Sequence, residues 1–296
     1  MLDDRCEWLR ALNNQSLPIE TIQPHFYDVP SVTWDVLRAD LIHPVCSGNK
    51  FFKLKYYLQE ALQQNHTMIH TWGGPWSNHI VATAYAASQL GLSSLGLIHG
   101  NEPDQYSATL KEARSYGMEL QFTGWPSAPL QTSIPPNSCP IPEGGYGVEG
   151  AKGAADLISV SLASAYTHII CAVGTGTMIA GILSAAGNAH TTGIAISADP
   201  GLKNSIEKLQ PGTAFSLNTD FHFGGYARKS SELLAFMNDF YRATGIPTDF
   251  VYTGKLMYGV ASLIRQNTFP KGSRILTIHS GGLQGNRSLP DGQLLF

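Results

Sequence analysis

The stretch of this chain most ready for chemistry is Ser47-Gly48-Asn49-Lys50-Phe51-Phe52-Lys53-Leu54-Lys55. A flexible turn passes into a helical pattern, with Phe51, Leu54, Leu58 and Leu62 three to four residues apart. Ser47 or Asn49 can cap that start by accepting from free backbone N–H groups. Lys50 then falls in the first helical turn, where the positive end of the helix dipole disfavours a cation. This biases it toward the neutral amine, the form that attacks carbonyls and builds Schiff bases. Lys53 shares that face and adds positive charge near an anion. On spacing alone, an amphipathic helix with solvated lysines is the plainer account.

A second constellation is Gly174-Thr175-Gly176-Thr177, between an apolar strand and a helix. Backbone N–H groups and the helix dipole hold a phosphate at such a turn. No Walker A lysine is present, which disfavours nucleotide hydrolysis. A dinucleotide site is a closer rival: Asp199 ends the next strand near the spacing of a ribose-binding acid, although Ile179 stands where the third glycine belongs. A purely structural turn accounts for the motif as well. Ser77-Asn78-His79 opens another helix, whose free N–H groups suit an amino-acid carboxylate; a plain N-cap serine is compatible with that role. His66 and His70 lie on a strand pattern and need not share a metal, and neither H-E-x-x-H nor G-x-S-x-G occurs.

The elements that must position these residues alternate. A helix is expected from Cys6 to Leu12, a strand from Ser31 to Leu37, then the Lys50 helix. Strands at His66 to Trp72, Leu92 to His99 and Met118 to Thr123 flank helices at Ser77 to Gln89 and Asp104 to Tyr116. Residues 124–147, rich in Pro, Ser and Gly, read as a loop around Cys139-Pro140. A helix from Gly150 to about Ala165 precedes a strand from His168 to Val173, a helix to Ala186 and a strand from Gly193 to Ser197. Helices near Ser205, from Ser230 to Thr244 and from Lys255 to Gln266 lead to a strand from Arg274 to His279. Such alternation predicts parallel βαβ units.

The 296 residues suffice for one large or two smaller domains. A net charge of −3 offers no basic surface for nucleic acid. Cys6, Cys46, Cys139 and Cys171 are scattered, without a disulfide or zinc pattern. The acidic start shows no secretory signal, so the cytoplasm is the expected location. Leu157 to Ala198 lacks Asp, Glu, Lys and Arg, yet its His, Asn, Gly and Ser content fits a buried strand-loop-helix-strand unit better than a membrane span.

Several short strings, in order from about Ser31 to Gly282, resemble the 1-aminocyclopropane-1-carboxylate deaminase and D-cysteine desulfhydrase family. These are fold type II pyridoxal-phosphate enzymes, related to tryptophan synthase β. The strings are Arg38-Ala39-Asp40-Leu41, Ser47-Gly48-Asn49-Lys50, Gly73-Gly74-Pro75-Trp76-Ser77-Asn78, Tyr252-Thr253-Gly254-Lys255 and Ser280-Gly281-Gly282. The resemblance implies an α/β fold of two domains, 1–52 with 150–296 and 53–149. Parallel twisted sheets flanked by helices would hold pyridoxal 5'-phosphate in the cleft between them. Lys50 would carry the cofactor as a Schiff base and then serve as base for Cα–H. Lys53 and Gly174, Thr175, Gly176 and Thr177 would surround the phosphate, Asn78 the phenolic oxygen, and Thr253 the ring nitrogen. Ser77, Tyr226 and Tyr252 would meet a small amino-acid substrate, and the family suggests a homodimer. Thr253 stands where ring-opening deaminases carry Glu and desulfhydrases Thr. The expected reaction is therefore desulfhydrase-like β-elimination to keto acid, ammonia and sulfide. A deaminase, an amino-acid racemase on the same cofactor and a nucleotide-binding protein without it are the alternatives.

Overall fold

The computed structural model describes residues 16–23, 26, 31–124 and 136–296; the expected Cys6 to Leu12 helix lies outside them. The strands are β1 Ile19–Ile22, β2 Thr33–Arg38, β3 Met68–Gly73, β4 Ser93–Ile98, β5 Met118–Phe122, β6 Ser138–Ile141, β7 His168–Val173, β8 His190–Ala195, β9 Ser216–Asn218 and β10 Arg274–His279. The helices are α1 Asn49–Gln63, α2 Asn78–Gln89, α3 Ala108–Ser115, α4 Val148–Ala155, α5 Val160–Ala163, α6 Thr177–Ala185, α7 Leu202–Leu209, α8 Ser231–Thr244 and α9 Thr253–Arg265.

Two sheets result. One runs β1-β2-β10-β7-β8-β9, parallel apart from the antiparallel edge strand β1; the other runs β5-β4-β3-β6, parallel throughout. The central strands read as near-continuous apolar runs, such as Ile169-Ile170-Cys171-Ala172-Val173, because helices cover both faces. One core joins α1 and α6 through Leu54, Leu58, Ile179 and Ile182, and a second gathers Trp34, Phe240, Met257 and Ile275 on the opposite face. The charge-free stretch folds as α5, β7, α6 and β8. Among the described residues no helix is long and apolar enough to cross a membrane.

Three expectations need correction. Within residues 124–147 the chain forms β6, which pairs with β3 at a sheet edge. Pro140 is tolerated there because an edge strand has one side free of ladder bonds. The helix expected from Gly150 to Ala165 is broken into α4 and α5, the second capped by Ser159 accepting from Leu162 N–H. Neither Ser47 nor Asn49 caps α1: its N-cap is Gly48, without a side-chain bond. The Ser47 hydroxyl donates to the Asp40 carbonyl, and the Asn49 amide to Met178 Sδ.

Candidate active site

A cavity of about 220 Å³ opens where the loops after β3, β7 and β8 meet the first turn of α1. Ligand sites of parallel α/β sheets lie beyond the carboxyl ends of the strands. Lys50, Lys53, Ser77, Asn78, the turn Gly174 to Gly176, Tyr226 and Tyr252 line this cavity; Thr177 and Thr253 do not.

The Lys50 turn is built by long-range contacts. Arg38 Nε and a terminal guanidinium nitrogen donate to the two Asp40 oxygens at 2.9 and 2.7 Å, fixing the chain that enters the turn. Gly48, at φ +59°, donates to Ala39 O, and Asn49 N–H donates to Ser280 O, each at 3.1 Å. A Cβ on Gly48 would lie 2.0 Å from Ser280 O, so only glycine lets α1 begin against the turn after β10. Lys50 is buried, and its Nζ donates to Asn49 Oδ1 at 2.8 Å and sits 5.9 Å from the Tyr252 ring centroid. Burial lowers its pKa to about 8, against the opposing pull of the Asp249 charge. The amine is thus readily neutralised, with burial the principal cause. Lys53, also buried, donates to Gly144 O at 3.2 Å, and burial followed by the Lys50 charge holds it well below the usual lysine range.

Facing the lysines is the start of α6. Its N-cap Gly176 is at φ +86° and contributes no side-chain bond, so the first N–H groups of the helix remain available to an anion. A Cβ there would approach Ile206 Cγ1 to 2.8 Å, and the turn therefore needs glycine. Thr177 is fully buried behind the turn, its Oγ1 3.0 Å from Thr175 Oγ1. Ser77 occupies the N-cap position of α2 but makes no capping bond with its side chain.

Tyr252 and Thr253 begin α9 and separate there. Tyr252 faces the cavity in edge contact with Tyr226, ring centroids 6.2 Å apart. Burial, then the neighbouring Tyr226 phenol, pushes the Tyr252 phenol well above its ordinary range. Tyr226 is 59% exposed at the rim, so it is not a core tyrosine. Thr253 is fully buried, and its hydroxyl donates to Asp249 Oδ1 at 2.7 Å while accepting from Asp249 N–H at 2.8 Å. Its proton is committed to Asp249 and Thr253 is not among the residues lining the cavity, so a bond to a ring nitrogen would require the hydroxyl to leave Asp249. Asp249 also accepts from the N–H groups of Val251, Tyr252 and Thr253, each at 2.9 Å, and so caps α9 from within. Burial raises its carboxyl pKa, while the Thr253 and Tyr252 donors oppose that shift.

Sequence reasoning did not place Asn49, Met178 or Ser197 on the cavity wall, although the structure does; Glu143 and Gly144, from a Glu143-Gly144-Gly145 string that also resembles a family loop at the cleft rim, line it as well. His79, the third residue of the Ser77-Asn78-His79 string, lines it too, although no role was expected of it. Thr71 Oγ1 donates to Ile141 O at 2.7 Å and lies 2.8 Å from His79 Nε2, so His79 is the donor in that contact. Its buried Nδ1 has no partner among the described residues, and burial keeps the ring neutral.

Taken together, a readily neutralised amine faces an open helix N-terminus across a small buried cavity, a pairing suited to a ligand with a carbonyl at one end and an anion at the other. The family described as pyridoxal-phosphate dependent enzyme matches residues 36–281. A bifunctional D-cysteine desulfhydrase/1-aminocyclopropane-1-carboxylate deaminase of Arabidopsis thaliana is 28% identical, over 84% of this chain and 72% of its own length. A D-cysteine desulfhydrase of Klebsiella pneumoniae is 27% identical, over 83% of this chain and 86% of its own. The crystal structure of an ACC deaminase homologue superposes with a TM-score of 0.77 at 24% identity, over 96% of this chain and 97% of that one. The family match overturns the nucleotide-binding alternative for the Gly174 turn.

Proposed function

This chain belongs to the pyridoxal-phosphate dependent enzymes, and on that premise we propose that it is a lyase that eliminates the β-substituent of a small amino acid. D-Cysteine is the proposed substrate, giving pyruvate, ammonia and sulfide. The observation that carries this is the Lys50 amine, buried and brought to about 8, in one cavity with the uncapped start of α6. Those residues fit pyridoxal 5'-phosphate, which supplies an aldehyde that condenses with amines and a ring that spreads developing negative charge.

Lys50 would hold the aldehyde carbon, and its Nζ, once released, would take the Cα proton. The turn Gly174 to Gly176 and the nearby Lys53 would neutralise the phosphate, with Thr177 holding the turn from behind. Asn78 would donate to the phenolic oxygen, and Ser77 with the first N–H groups of α2 would orient the substrate carboxylate. Tyr252 and Tyr226 would close the cavity over the reacting carbon and keep water out. Thr253 is left out of the cofactor contacts. Elimination is preferred to ring opening on the resemblance of Tyr252-Thr253-Gly254-Lys255 to the desulfhydrase form of that segment, a likeness in sequence that does not depend on a contact between Thr253 and the ring. The two-lobe division into 1–52 with 150–296 and 53–149, a homodimer and a cytoplasmic location belong to the same reading.

The test is an absorbance spectrum of the loaded protein before and after D-cysteine, with sulfide and pyruvate assayed. A band near ~420 nm, the usual region for a lysine-bound cofactor, that changes with substrate and yields both products is expected. Lys50→Ala should lack the band and the activity. Unchanged absorbance in Lys50→Ala would remove Lys50 from its role. Product confined to 2-oxobutanoate from the cyclopropane substrate would make the protein a deaminase, and conversion of D-cysteine to its mirror image alone would make it a racemase.

A further inference from the structure

We infer that Lys255 is a positioning residue: its ammonium, held by three backbone carbonyls, is the tether that keeps the Tyr226 loop against the cavity. Lys255 lies in the first turn of α9 and is completely buried. Its Nζ donates to Ile196 O at 3.3 Å, His222 O at 2.8 Å and Gly225 O at 2.6 Å. An ammonium carries three donors and no acceptor, so these oxygens use all of it. Ile196 follows β8 and lines the cavity; His222 and Gly225 flank the bend that presents Tyr226.

The loop has a backbone that needs such a tether. Phe223 and Ala227 both stand at φ +53°, where residues with a Cβ are strained, and Gly224 and Gly225 between them are at +86° and +121°. The loop's other backbone bonds among the described residues are short-range: Gly224 N–H to His222 Nδ1, Gly225 N–H to His222 O and Arg228 N–H to Gly225 O. Carbonyl oxygens converging from two segments repel one another without a cation between them. Lys255 therefore does what a bound monovalent cation does with carbonyl ligands, but through a charge fixed to the chain. Tyr226 reaches the cavity because that charge gathers the His222 and Gly225 carbonyls, just before it in the chain, onto the Ile196 carbonyl just after β8. This concerns loop geometry in the protein with or without substrate, and goes beyond the proposed reaction.

Hydrogen–deuterium exchange on the ligand-free protein tests it. In wild type, amides of residues 222–227 should exchange much more slowly than the exposed turn at Gly187 and Asn188. Lys255→Met should raise exchange in 222–227 about tenfold or more, the scale of lost hydrogen bonds to a charged donor, with β7 and β10 unchanged. In Lys255→Ala, potassium or methylammonium should slow that exchange again relative to tetramethylammonium at equal ionic strength. Unchanged loop exchange in folded Lys255→Met would overturn the inference, as would failure of both small cations to slow it in Lys255→Ala. If Lys255→Met does not fold, Lys255→Gln, which keeps two N–H donors, should show an intermediate rise, and none would overturn it. Fast loop exchange in wild type would do so without any variant. With turnover in hand, Lys255→Met and Tyr226→Phe should lose less kcat together than the product of their separate losses, because both act through one loop; full multiplication would count against the tether. Absence of turnover in wild type would speak only to the proposed reaction.

Discussion

Lys50 and Lys255 each stand in the first turn of a helix beside the same cavity, and burial brings both amines to about 8. The Asp249 charge opposes burial at both. Their hydrogen bonding separates them. Among the described residues Lys50 makes one hydrogen bond, to Asn49 Oδ1, and otherwise faces the cavity and the Tyr252 ring, so it has a direction in which to present a lone pair. Lys255 donates to three carbonyl oxygens and has none. A lowered lysine pKa thus reports burial in both places, and the unused valence distinguishes a reactive amine from a structural cation.

Gly48→Ala should separate the two lysines most sharply. A Cβ at φ +59° meets Ser280 O at 2.0 Å, so the α1 turn must move. A cost of roughly 3 kcal/mol or more is expected, typical of combined backbone strain and overlap. Urea unfolding should show it, together with loss of cofactor absorbance and retention of slow exchange at 222–227. Normal cofactor incorporation would mean that the docking of α1 on Ser280 does not position Lys50. Asp249→Asn comes next, acting on both lysines at once. Its amide cannot accept with both of its heavy atoms, so about 2 kcal/mol of stability should go with the lost charge-assisted bonds. Removing a charge that raises both pKa values must lower both. The pH at which half the protein takes up the cofactor should therefore shift downward in Asp249→Asn, and a shift upward would reverse the assigned sign.

The Lys50 side of this comparison was largely legible in the sequence, and the Lys255 side was not. The Lys50 helix and the Gly174 turn are local features: a periodic apolar face, glycines at a strand-to-helix junction, a lysine at a known offset. Apolar runs such as Ile169 to Val173 likewise predict central strands. What was missed depends on partners distant in sequence. β6 is a strand through Pro140 only because β3 is there to pair with it, and β1 and β9 are short edge strands of the other sheet. Lys255 finds its acceptors on Ile196, His222 and Gly225, whose carbonyls carry no residue signature. Asp249 reads as one more loop carboxylate until α9 is folded onto it. The Asp249 partner of Thr253 was hidden for the same reason, since a family position tells where a residue falls along the chain and not which neighbour takes its proton.

Thr253→Val gives the smallest effect and the finest distinction. Valine matches threonine in shape, so the substitution removes the hydroxyl without opening a void. The Asp249 N–H then loses its acceptor and Oδ1 loses one of its two Thr253 donors. Roughly 1–2 kcal/mol of stability should be lost, the scale for a buried N–H left without its acceptor, visible as a lowered urea midpoint. Turnover should stay close to wild type, because the hydroxyl faces Asp249 and does not reach the cavity. A loss of kcat on the order of 100-fold, the scale of a directly engaged proton-transfer group, would instead put Thr253 in contact with the reacting ligand. In that event the hydroxyl would have to leave Asp249 when ligand binds, and the α9 start would lose part of its cap in the loaded protein. The same variant therefore tells whether the first turn of α9 is a fixed frame for Tyr252 or a part that changes partners with the cofactor.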